Sequence, residues 1–192
     1  MKEYLEVSEF IDWDDAGIIK QAEQLASIDS NELALVNNSF VWVRDNIKHS
    51  WDYKMNPVTC KASDVLKYGT GYCYAKSHLL AALLRANNIP AGLCYQRLSI
   101  GDKGAPYSLH GLNAVYLKEY GWYRIDARGN KEGIDAQFTP PYEQLAFPLN
   151  EKNERDLSEI WSEPLKAVIN ALTINPTIEE VYKNLPDIEV IG

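Results

Sequence analysis

Gly69-Thr70-Gly71-Tyr72-Cys73 runs straight into Ala75-Lys76-Ser77-His78-Leu79-Leu80-Ala81-Ala82-Leu83-Leu84-Arg85-Ala86, a glycine-punctuated turn followed by an Ala/Leu-rich stretch of high helix propensity. This pattern places Cys73 at the start of a buried helix, which Asn87, Asn88 and Pro90 bring to an end. Downstream, residues 91–98, 110–117 and 121–126 read as strands of a largely antiparallel sheet. Upstream, Leu33, Val36, Phe40, Val43 and Ile47 recur at steps of three and four, predicting one apolar helix face from Asn31 to near His49. Residues 13–28 behind Asp12 read as an earlier, peripheral helix, and Ser63-Asp64 can cap a short helix that stops at Gly69. After Asp126 turn formers dominate up to Asn153. Two closing helices are then expected: residues 157–172, begun or kinked by Pro164, and a last one behind the capping box Thr177-Ile178-Glu179-Glu180. Helices first and sheet second make the class α+β.

The length of 192 residues suits one domain at roughly 150 residues per domain, and 46% hydrophobic residues supply a core. With 19 Lys+Arg against 27 Asp+Glu the net charge is −8, which disfavours nucleic acid and anionic membranes as partners. The opening Met1-Lys2-Glu3-Tyr4-Leu5-Glu6 lacks an apolar signal region, and no segment reaches about 18 uncharged apolar residues. Cys60, Cys73 and Cys94 are too few, and odd in number, for a disulfide framework, so reduced thiols in a cytoplasm are expected.

A thiol attacks as thiolate, and a helix N-terminus favours that anion through unpaired N–H groups and the helix dipole. Cys73 therefore reads as a nucleophile whose own N–H could face a developing oxyanion; the alternative is a small buried hydrophobe. A base and an orienting group would come from one hairpin. His110 opens a strand, and Asp126 ends the next across Lys118-Glu119-Tyr120-Gly121. An even pairing sum near 238 sets Asp126 opposite Leu112, on the face that His110 uses, whereas an odd sum separates them, so a triad requires an odd-numbered loop or a bulge at the tip. His78 follows Cys73 by five and reads as helix surface or core, and His49 as a helix end meeting its dipole. Cys60 and Cys94 read as core or strand residues. Trp51 and Tyr53 are candidate oxyanion donors or cleft walls, with core packing as the alternative. The cluster of Tyr116, Tyr120, Trp122 and Tyr123 reads as cross-strand packing. No CxxC or His-x-x-x-His accompanies Cys73, His78, His110 and Asp126, so no metal is expected.

Taken together, Gly69-x-Gly71-x-Cys73, Leu83-Leu84-Arg85-Ala86, Ile89-Pro90-Ala91, His110, and Gly121-Trp122 leading to Asp126 resemble the transglutaminase-like superfamily of papain-fold thiol enzymes. The resemblance covers about residues 60–128, and Trp42-Val43-Arg44-Asp45-Asn46-Ile47 to Tyr53 looks like the helix that precedes the site in many bacterial members. It implies a papain-like core over about residues 31–131, with Cys at a helix N-terminus against a sheet carrying His and Asp, and a C-terminal extension over about 132–192 within one domain. By the resemblance Cys73 is the nucleophile, His110 the base and then the acid, and Asp126 the orienting group, with no cofactor required. The family often carries an aromatic two residues after its histidine and Pro-Thr after its aspartate; here stand Leu112 and Ala127-Arg128, which bears on substrate selection. Trp51, Tyr53, Tyr72 and Arg128 are the candidate substrate-binding or oxyanion residues, and Arg128-Gly129-Asn130-Lys131 could present cations to a carboxylate or other anion. The expected chemistry is acyl transfer to an amine or to water on a peptide, protein or small amide. A narrow-pocket amidase or cysteine protease is one alternative, and a non-catalytic peptide- or protein-binding module is another. Thr139-Pro140-Pro141 stiffens residues 138–149 for a wall.

Overall fold

Asp15 and Asn31 each accept two backbone N–H groups and so start α1 (Ala16–Ala26) and α2 (Glu32–Asn46) of the computed structural model, which describes residues 1–29, 31–101 and 104–188. The last four residues of the expected C-terminal extension thus lie outside the described residues. α2 stops short of His49: Ile47 turns extended and the Lys48 N–H bonds to the Gly69 carbonyl. Lys48–His49 forms β1, followed by α3 (Ser50–Tyr53) and α4 (Ala62–Tyr68). Ser63 does not cap α4, because its hydroxyl and N–H both bond to Asp12 at 2.5 and 3.0 Å, tying α4 to the N-terminal segment. Gly69, at φ 65°, closes α4 in the left-handed region that favours glycine. β2 (Thr70–Gly71) then pairs in parallel with β1, setting His49 beside Gly71.

The long element α5 (Cys73–Ala86) is buried from Cys73 through Arg85. Its apolar sides meet α1, α2 and α4, and across from them β3 (Ala91–Ser99) and β4 (Tyr107–Leu117). β5 (Gly121–Ile125) completes the hairpin with β4; every pair, from Asn113↔Ile125 to Leu117↔Gly121, sums to 238. The loop is Lys118, Glu119 and Tyr120, with Gly121 at φ 73°, so the odd-numbered connection that the register demands is present. Trp122 stands opposite Tyr116, ring edge to ring face at 5.6 Å.

Beyond the hairpin, β6 (Gln137–Thr139) and β7 (Tyr142–Gln144) form a small ribbon, and β8 (Arg155–Asp156) joins the edge of β3. The main sheet runs β5-β4-β3-β8. Residues 157–172 are not one helix. Leu157 donates to the Tyr95 carbonyl, and Trp161 exchanges two hydrogen bonds with Leu93, so the free edge of β3 takes the backbone that a helix would have used. Pro164 disfavours helix just before it, and α6 begins later, as Lys166–Ile174. α7 (Ile178–Lys183) follows Thr177, whose hydroxyl caps the Glu180 N–H. Among the described residues no helix is long and apolar enough to cross a membrane. The architecture is the α+β, papain-like arrangement of helices packed on a curled antiparallel sheet.

Arg85 is the main polar tie of this core. Its guanidinium is 2% exposed and donates to the carbonyls of Glu6, Ala91 and Ser162 at 2.7–3.0 Å, joining the N-terminus, β3 and the C-terminal segment. Arg85→Met keeps the apolar bulk but strands three carbonyls, so urea unfolding is expected to show a loss of about 3 kcal/mol. A change within a few tenths would mean that water replaces the guanidinium.

Candidate active site

Tyr72 is the N-cap of α5 and offers no side-chain cap, so the N–H groups of the first turn, beginning at Cys73, have no intrahelical acceptor. The Cys73 sulfur is reached from the sheet: the Gly111 N–H donates to Sγ at 3.4 Å. That approach requires glycine, since a Cβ at Gly111 would lie 2.9 Å from Tyr74 Cδ1 and 3.0 Å from Tyr74 Cα. The Tyr74 hydroxyl donates to the Leu109 carbonyl, so α5 is stitched to β4 on both sides of His110.

The hairpin register carries His110 and Asp126 to the same face, and His110 Nε2 lies 2.7 Å from Asp126 Oδ2. Asp126 is fully buried and also accepts the Arg128 N–H at 3.0 Å and the Ala146 N–H at 3.2 Å. With Nε2 engaged by Asp126, Nδ1 is the ring nitrogen left unengaged in the cleft that Cys73 also lines. Burial alone would strip His110 of its proton, but the charge of Asp126 and the bond to it, with Cys73 nearby, outweigh it and raise the pKa to about 10. Burial likewise opposes the Asp126 carboxylate, yet His110 and the two backbone N–H groups hold its pKa below the usual value. Phe147 meets the His110 ring edge-on at 4.9 Å.

Cys73 and His110, 7% and 6% exposed, lie at the base of a cleft of about 270 Å³. Trp51 forms one wall and stacks flat on Tyr182, with 3.8 Å between ring centroids. Phe147, Pro148 and Leu185 add further walls, so the C-terminal extension lines the cleft, and the 138–149 segment contributes as expected. The Tyr72 ring lines the cleft too, but its hydroxyl is committed to the Ile178 carbonyl at 2.9 Å. Tyr53 is elsewhere: 57% exposed, it borders a neighbouring cavity of about 310 Å³. Arg128 borders both cavities. Its guanidinium is paired with Asp52, Nη1 to Oδ2 at 2.7 Å, and Lys131 binds the other oxygen at 2.8 Å. Against the effect of burial, these bonds bring Asp52 down to about 2, so the cations expected from the 128–131 stretch are partly met from within the chain.

Three contributors escaped the sequence reading. Gly111 has no signal apart from its place after His110. His49 lines the cleft 7% exposed, edge-on to Tyr72, with Nδ1 3.6 Å from Asp52 Oδ2. Burial, with the charges of Arg128, Lys76 and His110, holds His49 well below the usual histidine pKa against the pull of Asp52. The His49-x-x-Asp52 spacing was the available clue to both residues. His78 is core, its Nδ1 2.7 Å from the Cys60 carbonyl, and burial pushes the Cys60 and Cys94 thiols up to about 12. Among the described residues no three His, Cys, Asp or Glu side chains converge to hold a metal.

Residues 19–127 match the profile of the Transglutaminase-like superfamily. Among solved structures, a candidate cysteine protease from Cytophaga hutchinsonii aligns with a TM-score of 0.53 at 23% identity, over 65% of this chain and 40% of that one. The periplasmic domain of TgpA from Pseudomonas aeruginosa, bound to ethylmercury, aligns with a TM-score of 0.48 at 20% identity, over 65% and 46%. A structure of a TGase aligns with a TM-score of 0.47 at 21% identity, over 72% and 37%. The chain therefore spans less than half the length of each of these structures. No curated protein matches it.

The raised His110 pKa makes a signed prediction. An unfolded histidine releases its proton near 6.5, whereas folded His110 keeps it to about 10. The stabilisation is complete below pH 6.5 and is lost as pH rises from there towards 10. Denaturant melts across pH 6 to 9 are expected to show a downward slope that flattens in His110→Gln; equal slopes would place the proton elsewhere.

Proposed function

The chain belongs to the transglutaminase-like superfamily, and on that footing we propose that it is a thiol enzyme in which Cys73 attacks a carboxamide or peptide carbonyl. The observation carrying this reading is that His110, bonded through Nε2 to buried Asp126, lines the same cleft as Cys73, whose sulfur accepts the N–H of the next residue, Gly111. In the first half-reaction the Cys73 sulfur bonds to the carbonyl carbon. The N-terminal N–H groups of α5 face the oxyanion. His110 gives its proton to the nitrogen as the C–N bond breaks, leaving a thioester. In the second half, His110 takes a proton from an amine or a water that attacks the thioester, and the thiolate departs. Asp126 orients the imidazole throughout and stabilises its charged form.

The cleft of about 270 Å³ suits the side chain of a glutamine or a small amide better than a folded polypeptide. A hydrolase on the same residues is the second reading, favoured by the cover that Phe147 and Leu185 add to the small cleft. Both readings take peptide, protein or small amide substrates. We take residues 1–192 as one domain, with the extension beyond about residue 131 walling the cleft. We place the reaction in the cytoplasm, where three unbridged thiols are stable.

Incubation with glutamine-containing peptides and hydroxylamine tests this directly. Ammonia release with hydroxamate formation is expected for the transferase, and ammonia without hydroxamate for the hydrolase. Cys73→Ala is expected to abolish release, and His110→Ala to lower it about 100-fold or more. Absence of both products, together with iodoacetamide labelling of Cys73 that ignores the loss of His110, would sink the reading in favour of a binding module.

A further inference from the structure

His49 and Arg128 are a shared wall: they line the cleft of Cys73 on one side and the 310 Å³ cavity on the other. The charges around that second cavity do not cancel. Arg44 is neutralised by Asp45, its Nε and Nη2 at 2.7 and 2.9 Å from the carboxylate, and its remaining donor is taken by the Ala136 carbonyl and Gln137. Asp52 is one carboxylate between two cations, Arg128 and Lys131, which leaves one positive charge over. Lys48 adds a second: its ammonium stands 4.9 Å from the centre of the Tyr53 ring, and among the described residues no carboxylate lies within ion-pair distance. A surplus of two positive charges thus gathers around one cavity in a chain of net charge −8. The buried His49 Nδ1 on its wall has no hydrogen-bond partner. Burial first, and then the charge of Arg128, disfavours protonation of that ring, with Asp52 opposing.

We propose that this cavity binds a carboxylate carried by the substrate, held by Lys48 and Lys131 on the far side of the Arg128 wall from the amide at Cys73. Asp52 already shows how a carboxylate sits here: Arg128 reaches both of its oxygens, at 2.7 and 3.2 Å, and Lys131 shares Oδ1 at 2.8 Å. Lys131 is 47% exposed and uses one of its three donors on Asp52, so it keeps donors for a second carboxylate in the cavity that Lys48 also lines. The assignment of the carboxylate to a substrate rests on the acyl-transfer reading; the binding of the anion does not.

The test is an NMR titration of the full chain with sodium acetate, with inorganic phosphate and with acetamide, at constant ionic strength. Acetate is expected to shift the amides of Lys48, Gly129 and Lys131 saturably, acetamide to shift none of them, and Lys48→Gln/Lys131→Gln to weaken acetate at least tenfold with an unchanged far-ultraviolet spectrum. Glutamine peptides with a neighbouring glutamate are then expected to outperform their neutral isosteres in kcat/KM, a preference that the double variant loses. Non-saturable acetate shifts, or equal affinity in the double variant, would overturn the proposal. Phosphate binding without acetate binding would also overturn it. Saturable acetate binding with no turnover of any peptide would support the cavity and defeat the acyl-transfer reading instead.

Discussion

A helix buried on every side has no solvent in which to leave its polar groups, and α5 carries Lys76, Ser77, His78 and Arg85 inside that burial. Each must find a partner in the protein, because an unpaired buried donor costs as much as several apolar contacts return. The partners are almost all main-chain carbonyls of other elements. Lys76 reaches those of Arg44 and Ile47 at the end of α2, His78 that of Cys60, and Arg85 those of Glu6, Ala91 and Ser162. Asn113 returns the bond from the sheet, donating to the Ser77 and Gly92 carbonyls. The polar residues of α5 therefore fix where α2, the loop before α4, β3 and the C-terminal segment can lie, and so where the walls around Cys73 stand.

The same requirement explains the charges. Burial pushes Lys76 down to about 7, with the charge of Arg128 adding to it and the carboxylates of Asp126 and Asp45 opposing it. Asp126 survives as a carboxylate only because three N–H donors converge on it, one from the His110 ring and two from the backbone. One of those backbone groups belongs to Arg128, whose side chain Asp52 holds. A line of contacts thus runs from α3 through Arg128 and Asp126 to the imidazole beside the thiol.

Much of this was legible in the chain. The glycine turn before an Ala/Leu run located α5 and set Cys73 at its first turn, because backbone freedom followed by propensity is a local signal. The parity of the β4–β5 hairpin was also readable, since a side chain changes face with each residue, and the sum of 238 followed from where His110 and Asp126 had to meet. Long-range competition was not readable. Nothing near Ser63 says that Asp12 will claim it, and nothing in residues 157–161 says that the edge of β3 will draw them out straight. His49 was misplaced for a related reason: the apolar spacing through Ile47 continued the helical pattern, while the chain was already turning to pair with Thr70 and Gly71.

The helix α7 has six residues, too few to stand alone in water. What holds it on the cleft side is the flat stack of Tyr182 on Trp51, the Tyr72 hydroxyl on the Ile178 carbonyl, and the Asn56 side chain on the Ile178 N–H. Beneath these contacts Ile178 and Val181 are fully buried in the main core, and just beyond the helix the Pro186 carbonyl accepts the Leu109 N–H from β4. A helix too short to persist alone is thus kept as a wall of the Cys73 cleft by the core it packs into, so that wall and core stand or fall together.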